Sequence, residues 1–144
     1  MYKKILAPLD GSKRAETILP HVEDLAIRYR GQVVFLQVIE IIEPFAAAEF
    51  AFSTQENYDA LRKQAEAYLS GIKGEFREKG IDASIRLAHG PVVEAIIEVA
   101  EQENAGLIAI ASHGRTGLSR VFYGSVSAGV LHRIDRPLLL IRSA

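Results

Sequence analysis

Residues able to grip an anion gather in a stretch reading Ala111-Ser112-His113-Gly114-Arg115-Thr116-Gly117-Leu118-Ser119-Arg120-Val121-Phe122-Tyr123-Gly124-Ser125. Glycines let backbone N–H groups approach a phosphate closely. A helix opening at Gly124-Ser125-Val126 adds unpaired N–H donors and the positive end of its dipole. Arg115 and Arg120 supply local positive charge. The same residues also suit a plain chain reversal, with Gly114 and Gly117 turning the backbone and both arginines solvated; residue types alone leave the two readings level. A second polar cluster, Asp10-Gly11-Ser12, follows an apolar run. Its carboxylate can hold ligand hydroxyls or simply form a turn.

Other chemistries find less support. Around Ser127, the run Ser125-Val126-Ser127-Ala128-Gly129 looks like a nucleophile elbow, but Ser125 stands where the elbow needs its first glycine. The P-loop lysine motif and the dinucleotide-binding glycine fingerprint are both missing. A phospho-receiver domain needs clustered acids after its first strand and a lysine after its fifth, whereas here Asp10 is alone and Arg142 ends the last strand. With no cysteine, disulfides, thiolate metal sites and cysteine nucleophiles are excluded. His21, His89, His113 and His132 lack metal-ligand spacing; His113 alone adjoins the glycine-containing segment, where it supports the loop or hydrogen-bonds a phosphate. No acid and base pair for catalysis stands out.

The elements that must position these residues follow from apolar periodicity, which switches repeatedly between extended and helical. Ile5 to Leu9 reads as a first strand, and Ser12 can cap the helix after it. In that helix Ile18, Val22, Leu25, Ala26 and Tyr29 share a face, Pro20 marks a kink or a frayed first turn, and Gly31 is placed to end it. Val33 to Ile39 is apolar on both sides, as a strand between two helical layers should be. Ile41 to Thr54 reads as a surface loop. Ser53 and Glu56 then form a capping box for a long amphipathic helix, carrying Tyr58, Leu61, Ala65, Leu69, Ile72 and Phe76, that runs to Gly80.

Ala83, Ile85 and Leu87 alternate with polar residues, which predicts a third strand near a sheet edge. Gly90-Pro91 opens a helix with Val92, Val93, Ile96, Ile97 and Ala100 on its apolar face, running to about Asn104. Leu107 to Ala111 is a fourth buried strand. A last helix begins near Ser125 with Val126, Val130, Leu131 and Ile134 facing inward, and Leu138-Leu139-Leu140-Ile141 closes a fifth strand. The expected fold is α/β: one domain over residues 1–144 with a doubly wound, five-stranded parallel sheet and helices on both faces. In such sheets ligands lie beyond the strand carboxyl ends where the winding reverses, which selects the two polar segments above.

Composition agrees. The 144 residues, 49% hydrophobic and 24% charged, suit one folded core rather than disorder, and 17 basic against 18 acidic residues give no global field toward nucleic acid or membrane. No apolar run suits a signal peptide or a membrane span, so a cytoplasmic location is expected.

The segment Ala111 to Ser125, with Ile5 to Ser12 and Arg136-Pro137-Leu138-Leu139-Leu140-Ile141, closely resembles the universal stress protein family over essentially the whole chain. The ATP-binding branch of that family shows a glycine, two residues, a glycine, nine residues, then a glycine followed by serine or threonine. Gly114, the residues Arg115 to Tyr123, and Gly124-Ser125 fit, but Ala111 replaces the first glycine. The resemblance implies the adenine-nucleotide α-hydrolase-like form of the sheet and an ATP site, with Mg²⁺ accompanying the nucleotide and no metal held by the protein alone. In that site Asp10 would hold the ribose hydroxyls, the Val38 backbone would face adenine, and Gly114, Gly124 and Ser125 would bind phosphate. Pro8, Ala111, Arg115 and Val126 complete the implied set.

The resemblance further implies a homodimer through the fifth strand. Leu138 to Ile141 is apolar and unprotected by charge, and an exposed edge of that kind would aggregate unless covered. Pairing with a second copy covers it; the loop from Ile41 to Thr54 is the alternative cover. Two function classes stay open: a nucleotide-binding regulatory module, or a dimeric interaction module that binds no nucleotide, for which Ala111 is the main argument. An enzyme of another kind within the same superfamily is a third.

Overall fold

The N-terminal apolar run forms β1 (Lys4–Pro8), with Ile5, Leu6 and Ala7 wholly shielded from solvent. The computed structural model describes residues 1–40, 49–112 and 125–143. After β1 come a short 3₁₀ turn (Ala15–Ile18), α1 (Leu19–Tyr29), β2 (Gln32–Ile39), α2 (Glu49–Glu78), β3 (Ala83–His89), α3 (Val92–Gln102), β4 (Leu107–Ser112), α4 (Ser125–Arg133) and β5 (Leu138–Arg142). The strands of the described residues form one five-stranded sheet in the order β3-β2-β1-β4-β5, and every neighbouring pair is parallel.

This is the doubly wound arrangement that the alternation of strands and helices predicts. Successive strand residues point to opposite faces, so each strand feeds two cores. Ile5, Ala7, Val33 and Phe35 meet Val22 and Ala26 of α1 and Leu69, Ile72 and Phe76 of α2. Leu6, Val34, Leu36, Ile108 and Ile110 meet Ile96 and Val99 of α3 and Val130 of α4. Phe35 and Phe76 meet edge to face with ring centroids 4.9 Å apart, a favourable aromatic arrangement. The winding runs outward from β1 through β2 to β3, then restarts on the other side of β1 with β4 and β5, so the switch point lies between β1 and β4.

Several local expectations change. α2 already runs from Glu49, so Ser53 lies inside the helix rather than at its N-cap; nothing in Glu49 to Thr54 interrupts propagation, since neither glycine nor proline occurs there. The rest of the expected loop, residues 41–48, lies outside the described residues. α1 starts after a 3₁₀ turn and accepts Pro20 in its first turn, where a missing N–H costs nothing. Arg30 (φ 50°), not Gly31, takes the left-handed position that ends α1. Gly31 is required for a different reason: a Cβ there would collide with the Tyr2 carbonyl oxygen where β1 begins. On α4, Leu131 is 45% exposed, although its spacing matched the apolar face. Arg136 turns inward and donates from Nη1 to the carbonyls of Ala100 (2.8 Å) and Ala105 (3.0 Å), tying the end of α3 to the entry of β5.

Candidate functional site

At the carboxyl end of β1 the chain leaves the sheet through a turn built from its own polar atoms. Leu9 N–H donates to the Leu36 carbonyl at 2.7 Å, carrying the β1–β2 ladder one residue past Pro8. Gly11 then takes φ 85°, a conformation that favours glycine. Ser12 N–H donates to Asp10 Oδ1 at 2.9 Å, and Ala15 N–H donates to Ser12 Oγ at 3.1 Å. Ser12 thus bonds within the turn, whereas the N-cap positions of the 3₁₀ turn and of α1 are Arg14 and Ile18, so it does not cap the helix as its residue type suggests. Asp10 itself is exposed.

β2 continues beyond the point where β1 turns away. Backbone groups of alternate strand residues point to the same neighbour, and Leu36 C=O points to β1. Val38, two residues on, therefore directs its N–H and C=O into the space beyond the end of β1. That edge offers one donor and one acceptor side by side, the pattern needed to read a planar heterocycle carrying an amino group beside a ring nitrogen.

A cavity of about 430 Å³ opens there, on the side of the sheet covered by α3 and α4. Pro8, Asp10, Val38, Ala111, Ser125 and Val126 line it, which brings together from four separate chain segments the residues that the sequence singles out. Gly114, Arg115 and Gly124, the remaining members of that set, lie outside the described residues, as does His113. Among the described lining residues the charged side chains are carboxylates, Asp10 and Glu40. Positive potential comes instead from the start of α4, whose first turn holds no acidic residue to offset its dipole. Sequence reading missed Val92 and Ile96 of α3, Leu36, and Ser127, which is 3% exposed and shares the cavity wall. The apolar stripe of α3 is legible, but its first turn is shared between the core and the cavity, and only the packed fold reveals that division.

On the opposite face, below α2, a second opening of about 380 Å³ also reaches Asp10, Val38 and Glu40, and adds Gln37, Gln64 and Tyr68. Tyr68 Oη donates to Glu16 Oε2 at 2.9 Å. Burial, reinforced by the hydrogen bond and charge of Glu16 and by the charge of Asp10, holds this phenol protonated well above its ordinary range.

The fold that places this cavity at the switch point of a doubly wound sheet is shared with known proteins. The model of the universal stress protein family matches residues 1–142. The chain belongs to the universal stress protein family. Universal stress protein MJ0577 of Methanocaldococcus jannaschii is 29% identical over 155 residues, which cover 99% of this chain and 96% of that one. Its solved structure matches with a TM-score of 0.86 at 30% identity, covering 100% of this chain and 98% of its own. A universal stress protein solved in complex with cAMP shares the fold at a TM-score of 0.71 and 19% identity, covering 99% of this chain and 98% of that one. The Archaeoglobus fulgidus universal stress protein in complex with dAMP does so at 0.66 and 18%, covering 98% of each chain. Family membership thus rests on the full-length match, and these more distant structures show the fold.

Proposed function

We propose that this universal stress protein binds ATP in the cavity at the switch point and acts as a regulatory module rather than as an efficient enzyme. The observation that carries the reading is the convergence of Asp10, the Val38 backbone edge and the N-terminus of α4 on one cavity. Adenine would hydrogen-bond to Val38 N–H and C=O, with Val92 and Ile96 supplying apolar contact. The ribose hydroxyls would donate to Asp10, and the phosphates would meet Ser125, Val126 and the glycines Gly114 and Gly124, with Arg115 adding charge. Mg²⁺ fits as an ion brought on the phosphates, because it retains several waters and takes few protein oxygens; the Ser125 hydroxyl is the protein oxygen best suited to it. Related structures hold cAMP and dAMP, adenine nucleotides both, which supports the choice of base.

Calorimetry with ATP and Mg²⁺ tests the site. Gly124→Val puts a β-branched side chain where the backbone must approach phosphate, so binding should be lost while the circular dichroism spectrum is unchanged. Unchanged affinity in that variant would remove the phosphate assignment.

A homodimer through β5 belongs to the same reading. β5 is the outermost strand beyond β4, and Leu138, Leu139, Leu140 and Ile141 are each only partly buried although they pack on both cores. A second copy pairing along this edge would satisfy its backbone and cover those side chains by one twofold operation.

A further inference from the structure

We propose that Tyr68 is a positioning residue for the ribose-binding carboxylate, holding the Asp10 turn in place from α2 through Glu16. The proposal rests on the nucleotide reading above. Residues 10 to 14 have little packing of their own: Asp10, Gly11, Lys13 and Arg14 are exposed, and a Cβ on Gly11 would meet nothing within 4 Å. Hydrogen bonds hold the turn instead. Asp10 Oδ1 accepts from Ser12 N–H at 2.9 Å, Ser12 Oγ accepts from Ala15 N–H at 3.1 Å, and the Ser12 carbonyl accepts from Glu16 N–H at 3.4 Å.

Leu9 before the turn and Ala15 and Ile18 after it pack on the core, and Glu16 adds a polar tie from this segment to α2. Glu16 Oε2 accepts from Tyr68 Oη at 2.9 Å across 52 residues of sequence. Tyr68 packs against the core between the sheet and helices α1 and α2, which fixes the position of its hydroxyl. Tyr68 also faces Asp10 across the lower opening, close enough for the two to interact electrostatically. Burial and the neighbouring carboxylates favour the protonated phenol, the form that donates this hydrogen bond. Removing the hydroxyl breaks the tie between Glu16 and α2 and loosens the aim of the Asp10 carboxylate, which weakens the ribose contact while the packing of Leu9 and Ile18 keeps the rest of the site.

Comparing ATP with dideoxy-ATP, which lacks both ribose hydroxyls, isolates that contact. The unmodified protein should prefer ATP by about tenfold or more, the effect of a hydrogen bond to a charged group. Tyr68→Phe keeps the ring and should cut this preference by about threefold or more, leaving dideoxy-ATP affinity within about twofold. Glu16→Ala should do the same, whereas Glu16→Gln, which retains an acceptor oxygen, should keep most of the preference. A preference unchanged in Tyr68→Phe, or an equal loss for both nucleotides, would overturn the positioning role alone. Equal affinity of the unmodified protein for the two nucleotides would overturn the Asp10 assignment and this proposal with it.

Discussion

At Asp10 one carboxylate oxygen already accepts the Ser12 N–H at 2.9 Å, so the side chain is ordered before any ligand arrives. A ligand hydroxyl then meets a fixed acceptor and loses less rotamer entropy on binding. Asp10→Ala should weaken ATP by about 1–3 kcal/mol and change thermal stability little, since the residue is exposed. At Ala111 the opposite sign is expected. Its methyl group lies in the cavity wall at the family's glycine position, so Ala111→Gly should tighten ATP by about 1 kcal/mol, read by the same calorimetry. Weaker binding there would mean the methyl contributes contact rather than crowding. The Asp10-Gly11-Ser12 turn and the helix start at Ser125 were legible because turn and helix-start chemistry is local, although Ser12 bonds within its turn rather than capping a helix. The Tyr68–Glu16 bond was not, because it joins residues that only the tertiary fold makes neighbours.

Among the elements, the strands were readable because four are short apolar runs between turn residues and β3 alternates apolar with polar residues. Right-handed parallel crossovers predict a doubly wound sheet, and the order β3-β2-β1-β4-β5 comes from the structure. Helix ends were read less well: the Ser53 capping box is a competent start signal, but α2 begins before it because the residues upstream offer no barrier to helix. Periodicity also marks which face is apolar without marking what covers it, and so Leu61 and Leu131 were assigned inward yet are 48% and 45% exposed. Close approach of α3 and α4 was hidden in a glycine. A Cβ on Gly129 would lie 2.7 Å from Val93 Cγ2, so the small residue lets the two helices meet beside the cavity. Gly129→Ala gains about 1 kcal/mol of helix propensity but overpacks the contact by about 1–3 kcal/mol, for a net loss measurable by denaturant melting. In a Val93→Ala background the same change should become neutral or stabilising; an unchanged penalty would place the strain elsewhere.

For the whole molecule, the winding that places β1 and β4 at the centre also leaves β5 at the rim, so the site and the proposed dimer edge are two consequences of one topology. Leu140→Lys puts a charge into the apolar edge and should give a monomer, or an insoluble protein, by light scattering. A monomer mass for the unmodified protein would mean that the edge is covered within one chain. The most direct test of the central claim is to titrate ATP with Mg²⁺ into ¹⁵N-labelled protein and follow the backbone amides. Saturable shifts should centre on Val38, Ser125 and Val126, with Gln32 and Gly106, at the amino-terminal ends of β2 and β4, left in place. No shift at saturating nucleotide, or shifts that bypass Val38 and the start of α4, would contradict it.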